Sequence, residues 1–329
     1  MNKFTLLLNQ KEIKECITDQ EIFNTVDEVF RGHGVGKIIM PAKITLNMES
    51  FNIDSWLNAM PAYVSYLDAA GIKWAGGFIH NPKKGLPYVM ATIILNDSET
   101  GYPLSIMDGI HITNIRTGAA AALSAKYLAN KDSKVVCFIG AGMQSKTTLE
   151  NLYPHFDIKE VRISDINPEA MESFKTEMEK ELDIKVVITD SNKEAAKGAD
   201  IIYTATQADE PLLMNDWIKK GATVVTLGSY QELDEEFTLN ADKILVDDWA
   251  QCSHRGELSK LAEKGLITKN SIYGEIGYVA AGKKVGRESK DERILVVPIG
   301  LGSHDVAVAS KVYKRALEKG IGTKYNFWG

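Results

Sequence analysis

A glycine-rich turn near the middle of the chain carries the residues whose types and spacing point to a defined chemistry. The apolar run Val135–Ile139 leads directly into Gly140-Ala-Gly142, and a pattern typical of a helix follows. Two glycines keep Cβ atoms away from the backbone, and a helix N-terminus favours a pyrophosphate. A second apolar run, Val161–Ser164, ends at Asp165, where a carboxylate can bind both hydroxyls of an adenosine ribose. This spacing predicts a dinucleotide site.

The residues after Asp165 indicate which dinucleotide binds. Ile166 and Asn167 follow, and no arginine is placed to receive a 2′-phosphate, which favours NAD over NADP. The alternative is that Asp165 only caps the helix that begins near Pro168.

The elements around this turn alternate between short β-rich apolar runs and helical segments. Such alternation predicts a Rossmann-type, doubly wound parallel sheet. The runs are Val135–Ile139, Val161–Ser164, Lys185–Ile188, Ile201–Thr204, Thr223–Leu227, Ile244–Val246 and Ile294–Val297. Small residues at Thr204–Thr206 and Thr226–Ser229 are predicted to line the carboxyl edge of the sheet, where ligands bind.

The first 110 residues have a different pattern, which predicts an antiparallel α+β domain. Glu21–Phe30 is an amphipathic helix, and strand-like runs follow at Lys37–Met40, Ile44–Leu46, Ile72–Trp74 and Tyr88–Leu95. The Ala-rich stretch Asn114–Asn130 predicts a helix that joins the two domains. A last helical pattern, Val306–Leu317, either closes the Rossmann domain or returns to the first domain.

Composition and charge limit the classes of function. The 329 residues correspond to roughly two domains, and the net charge of −6 argues against nucleic acid or an anionic membrane as partner. Three scattered cysteines suggest neither disulfides nor zinc, and His254 and Glu257 lack a third ligand, so no metal is predicted. No membrane span or signal peptide is evident, and the cytoplasm is the expected compartment.

Several segments, in order along the chain, resemble the ornithine cyclodeaminase/mu-crystallin family. Within that family, their sequences look closest to the archaeal-type alanine dehydrogenase branch. The matching segments are Met40–Lys43, Ala59–Ala62, Gly71–Trp74, Asn81–Met90, Leu95–Leu104, Ile115–Ala129, Gly140–Ser145, Gly286–Ser289 and His304–Val308. The resemblance implies a substrate-binding and dimerisation domain (residues 1–116 with 306–329) that contains an inserted NAD-binding Rossmann domain (residues 117–305). It also implies a homodimer, and a substrate held between the N-terminal sheet and the nicotinamide.

The resemblance also assigns cofactor residues. Gly140, Gly142, Gln144 and Ser145 match the family's phosphate loop, with Ser145 in place of a third glycine. Thr117, Thr206 and Leu301 are expected as further cofactor contacts. His304 and Asp305 are expected to begin the final helix, with Asp305 facing the positive end of the helix dipole.

Three basic residues stand at the family's substrate positions. Lys43 and Arg116 are expected to hold a carboxylate, Arg116 through its planar fork, and Lys73 to transfer the proton. Lys73 should have a lowered pKa if it is buried beside two other cations. Asn58, a further expected substrate contact, replaces the Arg of alanine dehydrogenase relatives and the Glu of cyclodeaminases.

The preferred hypothesis is an NAD-dependent oxidoreductase that transfers hydride at the α-carbon of a small amino acid or its imine or 2-oxo acid. An ornithine cyclodeaminase, which converts L-ornithine to L-proline and ammonia with NAD used catalytically, is one alternative. The stretch Leu227–Asp234 weakens it, because the acidic residue of the cyclodeaminase motif has no counterpart there. A crystallin-like protein that binds NAD(P)H without turnover is the other alternative.

Overall fold

The computed structural model describes residues 4–51, 53, 55–208 and 210–327. The chain divides into two compact units: unit 1 comprises residues 1–116 and 301–329, and unit 2 comprises residues 117–300. The predicted boundary at residues 305/306 lies inside the last helix. The structure divides between Gly300 and Leu301 instead, so that this helix belongs to unit 1 as a whole.

The elements of unit 1 come from both ends of the chain. Short 3-10 helices lie at Glu49–Phe51, Ser65–Leu67 and Pro82–Lys84. The longer elements are β1 (Thr5–Leu8), α1 (Gln10–Cys16), α2 (Asp19–Gly34), β2 (Ile38–Ile39), β3 (Ile44–Asn47), β4 (Ser55–Val64), β5 (Ala69–Phe78), β6 (Val89–Asn96), β7 (Pro103–Asp108) and α3 (Ile110–Leu128), which continues into unit 2.

Unit 2 follows a regular alternation of strands and helices. Its 3-10 helices are Tyr153–His155 and Asn215–Trp217. Its other elements are β8 (Val135–Ile139), α4 (Met143–Leu152), β9 (Glu160–Ser164), α5 (Pro168–Glu181), β10 (Lys185–Ile188), α6 (Asn192–Ala196), β11 (Ile201–Thr204), β12 (Thr223–Thr226), α7 (Glu235–Asn240), β13 (Lys243–Val246), α8 (Trp249–Cys252), α9 (Ser259–Glu263), β14 (Gly274–Glu275), α10 (Ile276–Ala280) and β15 (Ile294–Val297). The chain then returns to unit 1 with α11 (Gly302–Lys319) and β16 (Thr323–Tyr325).

The sheet of unit 1 has the order β16-β1-β7-β6-β5-β4-β2, with β3 also paired to β4. Its pairs are antiparallel except β1 with β7. The sequence prediction missed β4, which contains Asn58 and Pro61. Proline is tolerated here because β3 pairs with residues 56–59 and β2 with residues 63–64, so neither strand needs a hydrogen bond from position 61.

One face of this sheet is covered by the C-terminal helix. Along β4 every second residue from Asn58 to Val64 is buried, and α11 packs on β4, β5 and α2. Gly302 allows the close approach, because a Cβ atom there would lie 2.6 Å from the Met60 carbonyl oxygen. The helix therefore returns to the first domain, the second of the two arrangements that the sequence left open.

The sheet of unit 2 has the order β10-β9-β8-β11-β12-β15-β13-β14, and its strands run parallel. The order reverses between β8 and β11, as in doubly wound dinucleotide-binding folds. Its central strands are buried on both faces, so each reads as a continuous apolar run. The predicted Rossmann fold and the separate α+β domain are both confirmed. Within the described ranges, no helix is long and apolar enough to cross a membrane.

Candidate functional site

Lys73 lies in the middle of β5, on the sheet face that α11 covers. Met60 of β4 is its direct cross-strand neighbour, and the Lys73 side chain is 1% exposed. Its Nζ atom lies 2.8 Å from Asp305 Oδ2 and 3.4 Å from Thr113 Oγ1 of α3. The ammonium group is thus enclosed by one carboxylate and one hydroxyl, and it is held away from bulk water.

Asp305 joins Lys73 to the second predicted basic residue. Its carboxylate is completely buried, and Oδ1 accepts a hydrogen bond of 3.0 Å from Arg116 Nε. The sequence predicts for Asp305 only a place at the positive dipole end of the last helix. The residue does lie in the first turn of α11, but its partners are the two cations. An acidic residue directly before the apolar run Val306–Ala309 was the available signal for a buried role.

Arg116 is oriented by this contact. Asp305 engages the guanidinium through Nε, which leaves the terminal pair, Nη1 and Nη2, as the planar fork that matches a carboxylate bidentately. Arg116 itself is buried on α3. The arrangement can hold a second carboxylate, one supplied by a ligand.

The surroundings of Lys73 lower its pKa toward neutral pH. Burial is the largest cause, and the charges of Arg116 and Lys43 act in the same direction, whereas Asp305 opposes them. Together they lower the pKa of Lys73 to about 7. A group with such a pKa can give or take a proton near neutral pH, which is what general acid–base catalysis requires.

Lys43 and Asn58 complete the predicted substrate residues. Lys43 directly precedes β3, is partly exposed, and lies close enough for its charge to affect Lys73. Asn58 is buried on β4, on the same sheet face as Lys73, and its Oδ1 accepts a 2.8 Å hydrogen bond from Thr45 Oγ1. The structure therefore brings Lys73 and Arg116 together around Asp305, and Lys43 lies close enough for its charge to act on Lys73. These four residues are called the cationic cluster below.

Two histidines near the start of α11 contribute no charge at neutral pH. The buried His304 ring packs edge-on against Phe30, at a centroid distance of 4.7 Å. Its pKa is lowered well below the usual value by burial and by Arg116, His33 and Lys73. Burial also lowers the pKa of His33 to about 4, and its Nε2 lies 2.8 Å from Ser303 Oγ. In the part of the chain that the structure describes, no group of three His, Cys, Asp or Glu side chains could hold a metal.

In unit 2 the predicted phosphate loop contains two glycines, of which the fold itself requires only the first. Gly140 has φ +103°, and a Cβ atom there would lie 2.6 Å from the Ala205 carbonyl oxygen, so the fold itself requires glycine. Ser145 Oγ closes the turn by donating to the Gly140 carbonyl, at 2.6 Å. Gly142 has φ −80°, and a Cβ atom there would meet nothing within 4 Å. Glycine at this position therefore leaves open the space in front of the loop, and no contact within the fold requires it.

The groups that border this space suit a dinucleotide phosphate. Gly142 is the N-cap of α4, and no side chain caps this helix, so its positive end is available to a phosphate. Gln144 has a buried Oε1 atom with no hydrogen-bond partner among the described residues. The loop thus offers backbone and side-chain groups to a ligand that the fold does not use itself.

Asp165 ends β9 beside this loop. Its carboxylate accepts hydrogen bonds from the backbone N–H of Ala141, at 2.7 Å, and of Asn167, at 2.8 Å. The cap of α5 is Asn167, whose side chain accepts from Glu169 and Ala170. The alternative that Asp165 caps this helix is therefore wrong, and its carboxylate lies at the edge where a ribose is expected.

The other predicted cofactor residues differ in location. Thr206 follows β11 at the same sheet edge, and Glu232 accepts hydrogen bonds from both its N–H and its hydroxyl. Thr117 lies at the start of unit 2, in α3. Leu301 is buried in unit 1, as the N-cap of α11. The phosphate-loop residues, Asp165 and Thr206 thus share the carboxyl edge of the unit 2 sheet.

Known proteins show the same combination of elements. The sequence profile of the ornithine cyclodeaminase/mu-crystallin family matches residues 3–320. The chain belongs to this family. The alanine dehydrogenase of Archaeoglobus fulgidus is 40% identical over 328 residues, which cover 98% of this chain and 99% of that protein.

Two solved structures of family members superimpose on almost the whole chain. An archaeal alanine dehydrogenase dimer with bound NAD has a TM-score of 0.91 and 41% identity, over 99% of this chain and 100% of that one. The Thermococcus litoralis Δ1-pyrroline-2-carboxylate reductase, in complex with NADH and L-proline, has a TM-score of 0.91 and 34% identity, over 97% and 99%. These comparisons confirm the predicted family and fold, and they agree with the predicted use of NAD by an oxidoreductase.

Proposed function

We propose that this chain is an NAD-dependent oxidoreductase that transfers hydride at the α-carbon of a small amino acid or its imine or 2-oxo acid. The observation that carries the proposal is the buried Lys73–Asp305–Arg116 arrangement. It combines a fork for a carboxylate with a lysine whose pKa of about 7 suits proton transfer. An α-amino or α-imino acid presents a carboxylate and a nitrogen on the same carbon, and so fits both groups.

Each residue of the cationic cluster has a separate task. Arg116, held by Asp305 through Nε, binds the substrate carboxylate with Nη1 and Nη2, and Lys43 adds a second positive charge. Lys73 Nζ transfers the proton to and from the substrate nitrogen. In the oxidative direction neutral Lys73 accepts the proton that the amino group loses, and in the reductive direction protonated Lys73 returns it. NAD, when bound, accepts or supplies the hydride.

The relatives support this class of substrate. Alanine is the substrate named for the Archaeoglobus fulgidus enzyme, and the Thermococcus litoralis reductase was solved with L-proline and NADH. Both amino acids carry a nitrogen and a carboxylate on one carbon, which is the pattern that the cationic cluster recognises.

The proposal is tested by a substrate screen at the NADH absorbance. Amino acids are supplied with NAD, and 2-oxo acids with ammonia or cyclic imines with NADH. Net formation or consumption of NADH with one of these substrates is the expected result. Release of ammonia and a cyclic product without net NADH would support a cyclodeaminase. Tight NADH binding with no turnover of any substrate would support a crystallin-like binding protein.

We also propose that the chain forms a homodimer through the outer face of the unit 1 sheet. Cross-strand pairing places Leu46 opposite Leu57, and Ala59 opposite both Ile44 and Trp74, so these side chains share the face that α11 leaves uncovered. Ile44 is 72% exposed and Trp74 is 41% exposed. Contiguous apolar surface of this kind marks an interface, and the related archaeal alanine dehydrogenase is a dimer.

Sedimentation velocity tests the dimer. The wild-type chain should sediment as a dimer, and Trp74→Glu should sediment as a monomer, because a charge would be buried in the interface. Val285→Glu is the matched control, since Val285 is an exposed apolar residue of unit 2. A monomeric wild type, or a dimeric Trp74→Glu variant, would contradict the proposal.

A further inference from the structure

Two buried carboxyl groups at the carboxyl edge of unit 2 have no part in the chemistry described above. Glu232 follows β12, and Glu257 lies between α8 and α9. Both side chains are buried, and no ion pair involves either of them in the part of the chain that the structure describes. Burial raises the pKa of both groups, that of Glu257 to about 8. Carboxyl groups kept in such surroundings need a compensating set of hydrogen bonds.

Glu232 finds its hydrogen bonds at the end of the neighbouring strand. Its Oε1 accepts from the Thr206 N–H at 2.7 Å and from the Thr206 hydroxyl at 2.6 Å. Its Oε2 accepts from the Thr204 hydroxyl at 2.7 Å. One side chain thus fixes both the last residue of β11 and the first residues of the loop beyond it.

Glu257 fixes Glu232 in turn. Its carboxyl oxygens accept from the backbone N–H groups of Glu232, at 2.8 Å, and of Leu233, at 3.3 Å. The segment around Glu232 is held again where Gln231 donates to Ser259 Oγ, at 3.1 Å. The chain Glu257–Glu232–Thr206 therefore connects three loops by hydrogen bonds, with no cation among them.

The position of these hydrogen bonds in the sheet indicates which half of the dinucleotide they serve. A doubly wound fold consists of two mononucleotide-binding halves on either side of the point where the strand order reverses. β8 and β9 carry the phosphate loop and Asp165, which belong to the adenosine half. β11 and β12 lie on the other side of the reversal, and their carboxyl ends are the place of the nicotinamide half.

We propose that Glu232, held by Glu257, is a positioning residue for the nicotinamide half of the dinucleotide and acts through Thr206. The proposal rests on the proposed use of NAD. Without the Glu232 carboxyl group, the Thr206 N–H and hydroxyl lose their acceptor, and the Thr204–Thr206 edge keeps only its backbone hydrogen bonds to the neighbouring strands. The adenosine half, on β8 and β9, keeps its own contacts.

The test compares two ligands that differ in the nicotinamide half. Affinities for NADH, followed by its fluorescence, and for ADP, followed by calorimetry, are measured with the wild type and with Glu232→Ala. We expect Glu232→Ala to weaken NADH binding about tenfold, which corresponds to about 1.4 kcal/mol. The emission of bound NADH should shift, and the affinity for ADP should not change. Glu232→Gln should restore most of the NADH affinity, because its amide can bond the same threonines.

Asp200→Asn is the matched control. Asp200 also fixes a backbone edge, by accepting from the N–H groups of Lys134 and Val135, but at the amino ends of β8 and β11. It should lower the melting temperature without changing either affinity. If Glu232→Ala does not fold, Thr204→Val removes one hydroxyl from Glu232 and should weaken NADH about threefold, with ADP unchanged.

The outcomes separate the two proposals. Equal losses of NADH and ADP affinity, or the same NADH loss in Asp200→Asn, would overturn the positioning role and leave the proposed function intact. A wild-type protein that binds ADP but not NADH would overturn the proposed function itself.

Discussion

The cationic cluster of unit 1 and the carboxyl edge of unit 2 both contain carboxyl groups that are buried or half-buried, but the neighbours of these groups differ. Asp305 lies between the charged groups of Lys73 and Arg116. Glu232 and Asp165 are bound by backbone N–H groups and, for Glu232, by hydroxyls. In unit 1 the carboxylate balances the charges of two cations, whereas in unit 2 the carboxyl groups fix the backbone through hydrogen bonds. Substitutions should therefore affect chemistry in the first region and affinity for the dinucleotide in the second.

Lys73→Met gives the largest expected effect. It removes the proton donor while it fills a buried site with a side chain of similar length. We expect kcat to fall about 10³-fold, within the range for loss of a general acid or base, with NADH affinity unchanged. Steady-state kinetics and NADH fluorescence titration measure the two quantities. A variant that keeps its turnover would remove Lys73 from the mechanism.

Asp305→Asn removes the counter-ion that Lys73 and Arg116 share. Leaving buried charges uncompensated should lower the free energy of unfolding by about 3–5 kcal/mol, and misplacing Arg116 should lower kcat/KM about 100-fold. The Asp305 charge raises the pKa of Lys73, so its loss lowers that pKa from its value of about 7. In the oxidative direction, where neutral Lys73 is the active form, the acid limb of the pH–rate profile should move to lower pH.

The Asp305→Asn experiment has its own control. In the double variant Lys73→Met/Asp305→Asn one cation is removed with the acid, so part of the stability should return. Urea unfolding measures the four corners of this cycle. Additive losses, or an unmoved acid limb in the single variant, would show that Asp305 does not act through Lys73.

Gly142→Ala tests the other side of the comparison. The added Cβ atom has no neighbour within 4 Å and φ is ordinary, so the melting temperature should not change. The dinucleotide needs that space, and NADH affinity should fall about tenfold. Gly140→Ala is the contrasting variant, because its strain and its clash with the Ala205 carbonyl should lower stability. Unchanged NADH affinity in Gly142→Ala would place the pyrophosphate elsewhere.

Asp165→Ser should change the preference between the two cofactors. Removing this carboxylate should weaken NADH and relieve the repulsion of a 2′-phosphate, which changes the NADH/NADPH affinity ratio about tenfold toward NADPH. Parallel titrations with the two cofactors measure the ratio. A ratio equal to that of the wild type would mean that Asp165 serves only its hydrogen bonds to Ala141 and Asn167.

The sequence predicted unit 2 better than unit 1, for a physical reason. Each predicted strand of the parallel sheet exists within one residue of its predicted bounds, because strands buried on both faces are continuous apolar runs. In unit 1, β4 is half-buried on one face, carries the polar Asn58 on its buried face and contains Pro61, so neither its composition nor its pattern is typical of a strand.

The predicted and proposed site residues show the same limit. Lys73 and Arg116 were identified through the family resemblance, and Gly140, Gly142 and Asp165 through a local motif. Asp305 and Glu232 are not among the predicted site residues, because the roles proposed for them depend on partners distant in sequence. Arg116 and Asp305 are 189 positions apart, and Thr204 and Glu232 are 28 positions apart. No local pattern encodes such pairs.

The return of α11 to unit 1 has a consequence for the order in which the protein can mature. During synthesis Lys73 and Arg116 leave the ribosome long before Asp305, and the whole of unit 2 is made in the interval. Domains fold as units from the N-terminal side, so unit 2 can fold while unit 1 still lacks its last helix. The nascent unit 1 therefore contains cations with no counter-ion and cannot bury them. The cationic cluster can form only after α11 has been synthesised.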